Sequence, residues 1–367
     1  MSESIKAIAI HLPQFHPIPE NDKWWGKGFT EWTNVSKAKP LFKGHYQPHL
    51  PADLGFYDLR LEESRIAQEQ LAKANGIHGF CYYHYWFNGK RILEKPVEAK
   101  LKNDKEDLPF MLCWANENWT RVWDGGENDV LLNQDYSLED DANHIKELIT
   151  YFKDSRYIKV NGKPVFIIYR PKLFPDMRAT AALWREIVKE HGFPDMYLGF
   201  AGRFDDHPNV SESIFDFAFD FQPRFDKRPL PYGYTRFKNY YNLYLKKLGF
   251  PYKDFSKPIY DYGDFAKLQQ EIPFMPNTYP SITPGWDNTA RRKVNYFLLH
   301  NSTPEKYGEW LSHIVDNYPW NENPESFLFI NAWNEWAEGN HLEPCSKWGD
   351  KYLSTTKEVL RGTRKVD

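Results

Sequence analysis

Apolar residues fall in eight short runs, Ala7 to His11, His78 to Tyr83, Phe110 to Trp114, Val165 to Tyr169, Tyr197 to Ala201, Phe217 to Phe221, Tyr279 to Thr283 and Phe327 to Ala332. Between them lie stretches with a spacing of three to four, around 63–75, 93–102, 138–153, 177–191, 263–270, 304–318 and 351–361. In the third of these, Leu138, Ala142, Ile145, Leu148, Ile149 and Phe152 form one apolar stripe, the mark of a helix lying on a sheet. Gly76 and Gly192 follow two of the helical stretches, where a left-handed C-terminal turn belongs. Strands alternating with helices predict parallel pairing, and eight such units predict a (β/α)₈ barrel, an α/β fold. No Ser/Gly-rich linker or charge block divides residues 1–367, so a single catalytic domain is expected, with insertions at about 13–60 and 222–262. The competing doubly wound sheet lacks its support, because neither G-x-G-x-x-G nor G-x-x-x-x-G-K-[ST] occurs.

Charge narrows the function. Lys and Arg number 47 against 50 acids, a net charge of -3. No global basic field is available to hold nucleic acid or an anionic membrane surface. Aromatic residues reach 17% of the chain, more ring surface than a core needs. The three cysteines cannot all pair within the chain. There is no basic, long-apolar leader and no run of about 18 apolar residues to span a bilayer. A cytoplasmic location follows as the expectation.

In a (β/α)₈ barrel the chemistry sits at the C-terminal ends of the strands. There the sequence places His11, Gln14 and His16 after the first run, Tyr83, His84 and Trp86 after the second, and Trp114, Asn116 and Glu117 after the third. Arg170 follows the fourth run, Arg203 the fifth, Asp220 and Gln222 the sixth, Trp286 and Asp287 the seventh, and Asn334, Glu335, Trp336 and Glu338 the eighth. Rings beside carboxylates, amides and imidazoles suit a sugar, whose C–H faces stack while its hydroxyls require directed hydrogen bonds. An oligo- or polysaccharide is the expected partner. Glycosidic bonds call for two carboxyl groups, one to protonate the leaving oxygen and one to supply or activate a nucleophile. Glu335 and Glu338 are the leading pair. They reach the same rim only if the strand breaks into a turn after Glu335, which Gly339 permits. As general acid, Glu338 then requires a raised pKa.

Several positions carry a structural alternative. Glu117 either contacts substrate or pairs with Arg121 or Arg170, and Asp287 either holds a hydroxyl or caps the segment after it. Trp24, Trp25 and Trp32 form either a sugar platform or the core of the first insertion. The histidines, His11, His16, His45, His49 and His84, lack the spacing of a metal site, so neither metal nor cofactor is expected.

The ordered motifs, 9–16 (AIHLPQFH), 24–32 (WWGKGFTEW), His45-Tyr46-Gln47-Pro48, 82–86 (YYHYW), Trp114-Ala115-Asn116-Glu117 and Asn334-Glu335-Trp336-Ala337-Glu338-Gly339, resemble the WbsX proteins over nearly the whole chain. That resemblance implies polysaccharide and O-antigen metabolism, in a family often labelled glycosyltransferases; Trp32 and Tyr46, which lie within these motifs, are further candidate substrate contacts. More distantly, N-E-W-x-E-G followed by Glu343-Pro344 is similar to endo-α-mannosidases of glycoside hydrolase family ninety-nine, which are (β/α)₈ barrels. This similarity implies that Glu335 assists the substrate's own 2-hydroxyl in attacking the anomeric carbon. It also implies that Glu338 is the general acid/base of a retaining reaction. Ala337 departs from that motif, which commonly has His there. Two classes are therefore expected to compete, a retaining hydrolase or transglycosylase and a glycosyltransferase. The second class commonly carries Asp-x-Asp, which the chain lacks.

Overall fold

The structure, a computed structural model, describes residues 5–121, 126–202, 214–232, 258–292 and 296–362, with positions 241, 243–245 and 247–249. Its centre is a parallel sheet of nine strands curled into a nearly closed barrel. In chain order they are β1 (Lys6–His11), β2 (Ile77–Phe87), β3 (Phe110–Trp114), β4 (Lys163–Ile168), β5 (Tyr197–Gly202), β6 (Phe217–Asp220), β7 (Thr278–Tyr279), β8 (Ser281–Ile282) and β9 (Phe327–Ile330). Around the barrel the order is β7-β6-β5-β4-β3-β2-β1-β9-β8. The two end strands are consecutive in the chain and flank Pro280, so the seventh predicted run is one stave broken in two. Proline has no amide to continue the ladder. Its carbonyl still accepts from the Phe329 amide at 3.0 Å, which carries the pairing across the break.

The strands are apolar along their whole length because both faces are covered, as a parallel sheet requires. Isoleucine, valine and phenylalanine of β1, β3, β4 and β9 are almost wholly buried. Gly199 on β5 is required by a neighbour, since a Cβ there would stand 2.1 Å from the Phe217 ring.

Helices α1 (Pro19–Trp25) and α2 (Glu31–Lys37) lie in the first insertion. The outer layer is formed by α3 (Glu62–Ala74), α4 (Lys95–Leu101), α5 (Leu138–Lys153), α6 (Met177–Glu190), α7 (Tyr262–Gln270), α8 (Pro304–Asn317) and α9 (Lys351–Gly362). Ser137 caps α5 by accepting from the Asp140 amide, and Asp176 caps α6 by accepting from that of Ala179. Gly76 and Gly192 take φ of 82° and 93°, the left-handed turn their positions predicted. Ile145, Leu148, Ile149 and Phe152 of α5 are buried, whereas Leu138 at its first turn is half exposed.

Two features depart from the sequence pattern and bear on the site. Strand β2 runs on to Phe87 and hairpins with Lys90–Ile92, so His84 and Trp86 belong to a strand and not to a loop after it. Of the insertion expected at 222–262, positions 233–240, 242, 246 and 250–257 lie outside the described residues, as does Arg203. Ile259–Asp261 joins Leu298–His300 and Trp286–Asp287 in a small three-stranded sheet beside the barrel. Among the described residues no helix is long and apolar enough to cross a membrane.

Candidate active site

After β9 the chain forms a tight reversal. Asn334–Glu335 pairs antiparallel with Asn340–His341, and a single 3₁₀ turn, Trp336–Glu338, joins them. Gly339 closes the turn at φ 56°, and a Cβ there would lie 2.8 Å from Cβ of Asp287. The chain thus turns directly after Glu335, the condition under which both carboxyl groups reach one side. Asn334 fastens the reversal to the segment after β1. Its Oδ1 accepts from the Leu12 amide at 2.7 Å and its Nδ2 donates to the Leu12 carbonyl at 3.0 Å. Trp336 donates from Nε1 to Glu343 at 2.6 Å, and the same carboxyl accepts from Gln68 at 2.7 Å and Tyr57 at 2.8 Å. Burial pushes Glu343 up to about 7 against these three donors.

Glu335 and Glu338 both line a cleft of about 570 Å³ at the C-terminal end of the barrel. Aromatic walls come from Trp25, Tyr83, Tyr85, Trp119, Tyr169 and Trp286. One guanidinium holds the two acids: Arg291 donates from Nη2 to Glu335 at 2.8 Å and from Nη1 to Glu338 at 2.9 Å. A third carboxylate shares it, because Oε1 of Glu31 accepts from Nη2 at 2.6 Å and from Nε at 3.1 Å. Burial pushes Glu335 up to about 8; Arg291 pulls it down, while Glu338 and Glu31 push it further up.

Of the other residues singled out in the sequence, Gln14, Tyr83, Glu117 and Trp286 line this cleft. Glu117 pairs with Arg170 at 2.8 Å, the partner proposed as its structural alternative, and still faces the cleft. Asn116 serves the backbone: it accepts from the Arg170 amide at 2.7 Å and donates to the Arg170 carbonyl at 2.9 Å.

Strand alternation sends the rest elsewhere. Tyr83 and Tyr85 face the cleft, so His84 and Trp86 face the helices. His84 Nε2 meets His144 Nε2 of α5 at 2.9 Å, and Trp86 stacks on the same imidazole. Trp114 is fully buried against His144 and Trp184. His11 lies against Phe80 and Tyr82 with Nε2 3.2 Å from Gln68 of α3, and burial lowers it to about 3. His16 is buried without a hydrogen-bond partner for either nitrogen, and burial lowers it to about 4.

Trp32 joins Phe15, Tyr57 and Trp336 in a small apolar cluster under the first insertion, so it serves that insertion's core, while Trp25 lines the cleft. Asp287 is absent from the cleft lining and borders a smaller pocket with Tyr46, which Trp286 also lines. There it accepts from Gln47 at 2.7 Å, lies 2.7 Å from His45 Nε2, and caps the next turn through the Thr289 amide.

Three participants escaped the sequence reading. Tyr85 carried a usable signal, the period of two that groups it with Tyr83. Glu31 opens α2 in a distant insertion, and Arg291 sits in an irregular turn. Only the closed barrel brings those two to the carboxylates.

Comparison with solved structures agrees on the barrel. The GH99 endo-alpha-mannosidase from Bacteroides thetaiotaomicron matches with a TM-score of 0.57 at 15% identity, over 98% of this chain and 97% of that one. A glycoside hydrolase-like protein matches with a TM-score of 0.58 at 13% identity, over 98% and 94%. The chain belongs to the Glycosyltransferase WbsX family, whose pattern it matches over residues 7–356. The uncharacterized protein WxcX of Xanthomonas campestris pv. campestris strain B100 is 41% identical over 355 residues, 96% of this chain. The match covers 49% of WxcX, so the chain spans about half the length of that relative.

Proposed function

We propose that the protein is a retaining glycoside hydrolase or transglycosylase acting on bacterial polysaccharide, with Glu335 and Glu338 as its reacting pair. The observation that carries this reading is the placement of both carboxyl groups on one turn, held by one guanidinium, in an aromatic-walled cleft at the C-terminal rim. Burial and the neighbouring Glu338 and Glu31 raise Glu335, whereas the roles that follow ask it to accept a proton, so the reading rests on the placement of the pair and not on its titration. In the roles implied by the endo-α-mannosidase resemblance, Glu338 protonates the leaving oxygen. Glu335 takes the 2-hydroxyl proton as that oxygen closes on the anomeric carbon and the leaving group departs; water, deprotonated by Glu338, then opens the 1,2-anhydro sugar at the anomeric carbon with retention, and O2 recovers its proton from Glu335. Gln14, Tyr83, Glu117 and Trp286 are the proposed sugar contacts among the residues that the sequence singled out. Polysaccharide and O-antigen metabolism is the setting that fits this chemistry and the family.

The test is mass-spectrometric product analysis in ¹⁸O water, with a panel of bacterial polysaccharides and, separately, nucleotide-sugar donors with acceptors. Shortened glycans labelled at the new reducing end, absent with Glu338→Gln, are the expected result. Lengthened acceptors with released nucleotide would overturn the hydrolase reading in favour of the transferase named in the family description.

A further inference from the structure

Three carboxyl groups converge on one cation, although acid-assisted glycosyl transfer calls for only two. The additional member, Glu31, comes from α2 in the insertion after β1, far from the motif that carries the pair. Its side chain is fully buried. Oε1 takes both contacts with Arg291 and also accepts from the Ala337 amide at 3.2 Å, inside the 3₁₀ turn between the two acids. Oε2 is buried and has no hydrogen-bond partner. The contacts of Oε1 fix the guanidinium in place. Arg291 thereby presents Nη2 to Glu335 and Nη1 to Glu338 at the same time, its planar fork setting the positions of both.

We propose that Glu31 and Arg291 are a positioning pair, through which the first insertion fixes the two reacting carboxyl groups and the charges around them. The proposal rests on the reading of Glu335 and Glu338 as the reacting pair, but its electrostatic part does not require a substrate. The charged and titratable groups facing Glu335 are Arg291, Glu338 and Glu31, with the Tyr83 and Tyr85 hydroxyls of β2 behind them. Glu31 adds a negative charge that favours the protonated carboxyl, and Arg291 adds a positive charge that opposes it.

The experiment is a pH titration of the ¹³C carboxyl resonances of the full chain labelled at the glutamate side-chain carboxyl carbon, with Glu335 assigned by its loss in Glu335→Gln. Glu31→Gln is expected to lower the Glu335 midpoint by about one pH unit, and Arg291→Gln to raise it by about 1–3 units. Arg291→Lys keeps the charge without the fork. It is expected to titrate near the wild-type midpoint yet lower kcat with little change in KM on any cleaved glycan. Should Arg291→Gln fail to fold by circular dichroism, Glu31→Gln and Arg291→Lys carry the test. An unmoved midpoint in Glu31→Gln, or an Arg291→Lys enzyme with wild-type kcat, would overturn the proposal. Midpoints that move as expected in a protein without glycan cleavage would instead overturn the hydrolase reading and leave the electrostatic coupling standing.

Discussion

Two polar clusters lie at the C-terminal half of the barrel strands, and they differ in what they face. Around Arg291, three carboxyl groups meet at the edge of a 570 Å³ cleft. Around His144, the rings of His84, Trp86 and Trp114 are just as rich in nitrogen, yet they sit between β2, β3 and α5. Burial acts on both, pushing the Glu335 carboxyl up to about 8 and His84 down to about 3. Only the first cluster offers its groups to a ligand. A perturbed titration at a barrel rim therefore marks a site when the side chain also points inward, and a well-packed wall when it points to the helices.

Substitutions in the two clusters separate these roles, and the largest effect belongs to the carboxylates. Glu338→Gln is expected to lower kcat by about 10²- to 10⁴-fold with an unchanged circular dichroism spectrum. A folded variant with most of the wild-type rate would remove the basis for the assignment. His144→Ala is expected to act in the opposite manner. It opens a cavity beside Trp114 and strands His84, costing about 2–5 kcal/mol in urea unfolding, with kcat per folded molecule retained. Loss of kcat without loss of stability would place the histidine cluster in the chemistry after all. Gly339→Ala combines both effects on a smaller scale. Its left-handed φ of 56° and the nearby Asp287 predict a cost of about 1–3 kcal/mol and a displaced Glu338, read as a lower melting temperature and a lower kcat.

A further effect is expected in the pH dependence of stability. Glu335 binds its proton more tightly in the folded chain than the ordinary carboxyl value of 4.5, with a folded value of about 8. Its contribution is thus fully present below about 4.5 and lost as the pH rises through about 8. Across that window the melting temperature of the wild type should fall relative to Glu335→Gln. Parallel curves for the two proteins would contradict the shift.

The barrel was legible because its signal is local: β1, β3, β4 and β9 are continuous apolar runs, and α5 and α6 carry single stripes and polar caps. Pro280 was visible in the sequence, and its effect, a stave in two pieces, follows from the missing amide. The acid pair was legible because Gly339 licensed a turn after Glu335, and because Trp333 and Trp336 accompany the carboxyl groups. Side-chain facing was not, since ending β2 at Tyr83 hid the alternation that turns His84 and Trp86 outward and Tyr85 inward. The Glu31–Arg291 pair joins positions 260 residues apart, a contact that no local spacing encodes.

The proposal that sugar is processed where Arg291 gathers its carboxylates can be tested directly. The most direct test is a crystal structure of Glu338→Gln with an oligosaccharide that the wild type cleaves. The expected result is a ring stacked against the aromatic walls of the cleft, with its anomeric carbon beside Glu335 and residue 338. A sugar bound instead in the pocket of His45, His341 and Asp287, with the carboxylate cleft empty, would contradict it.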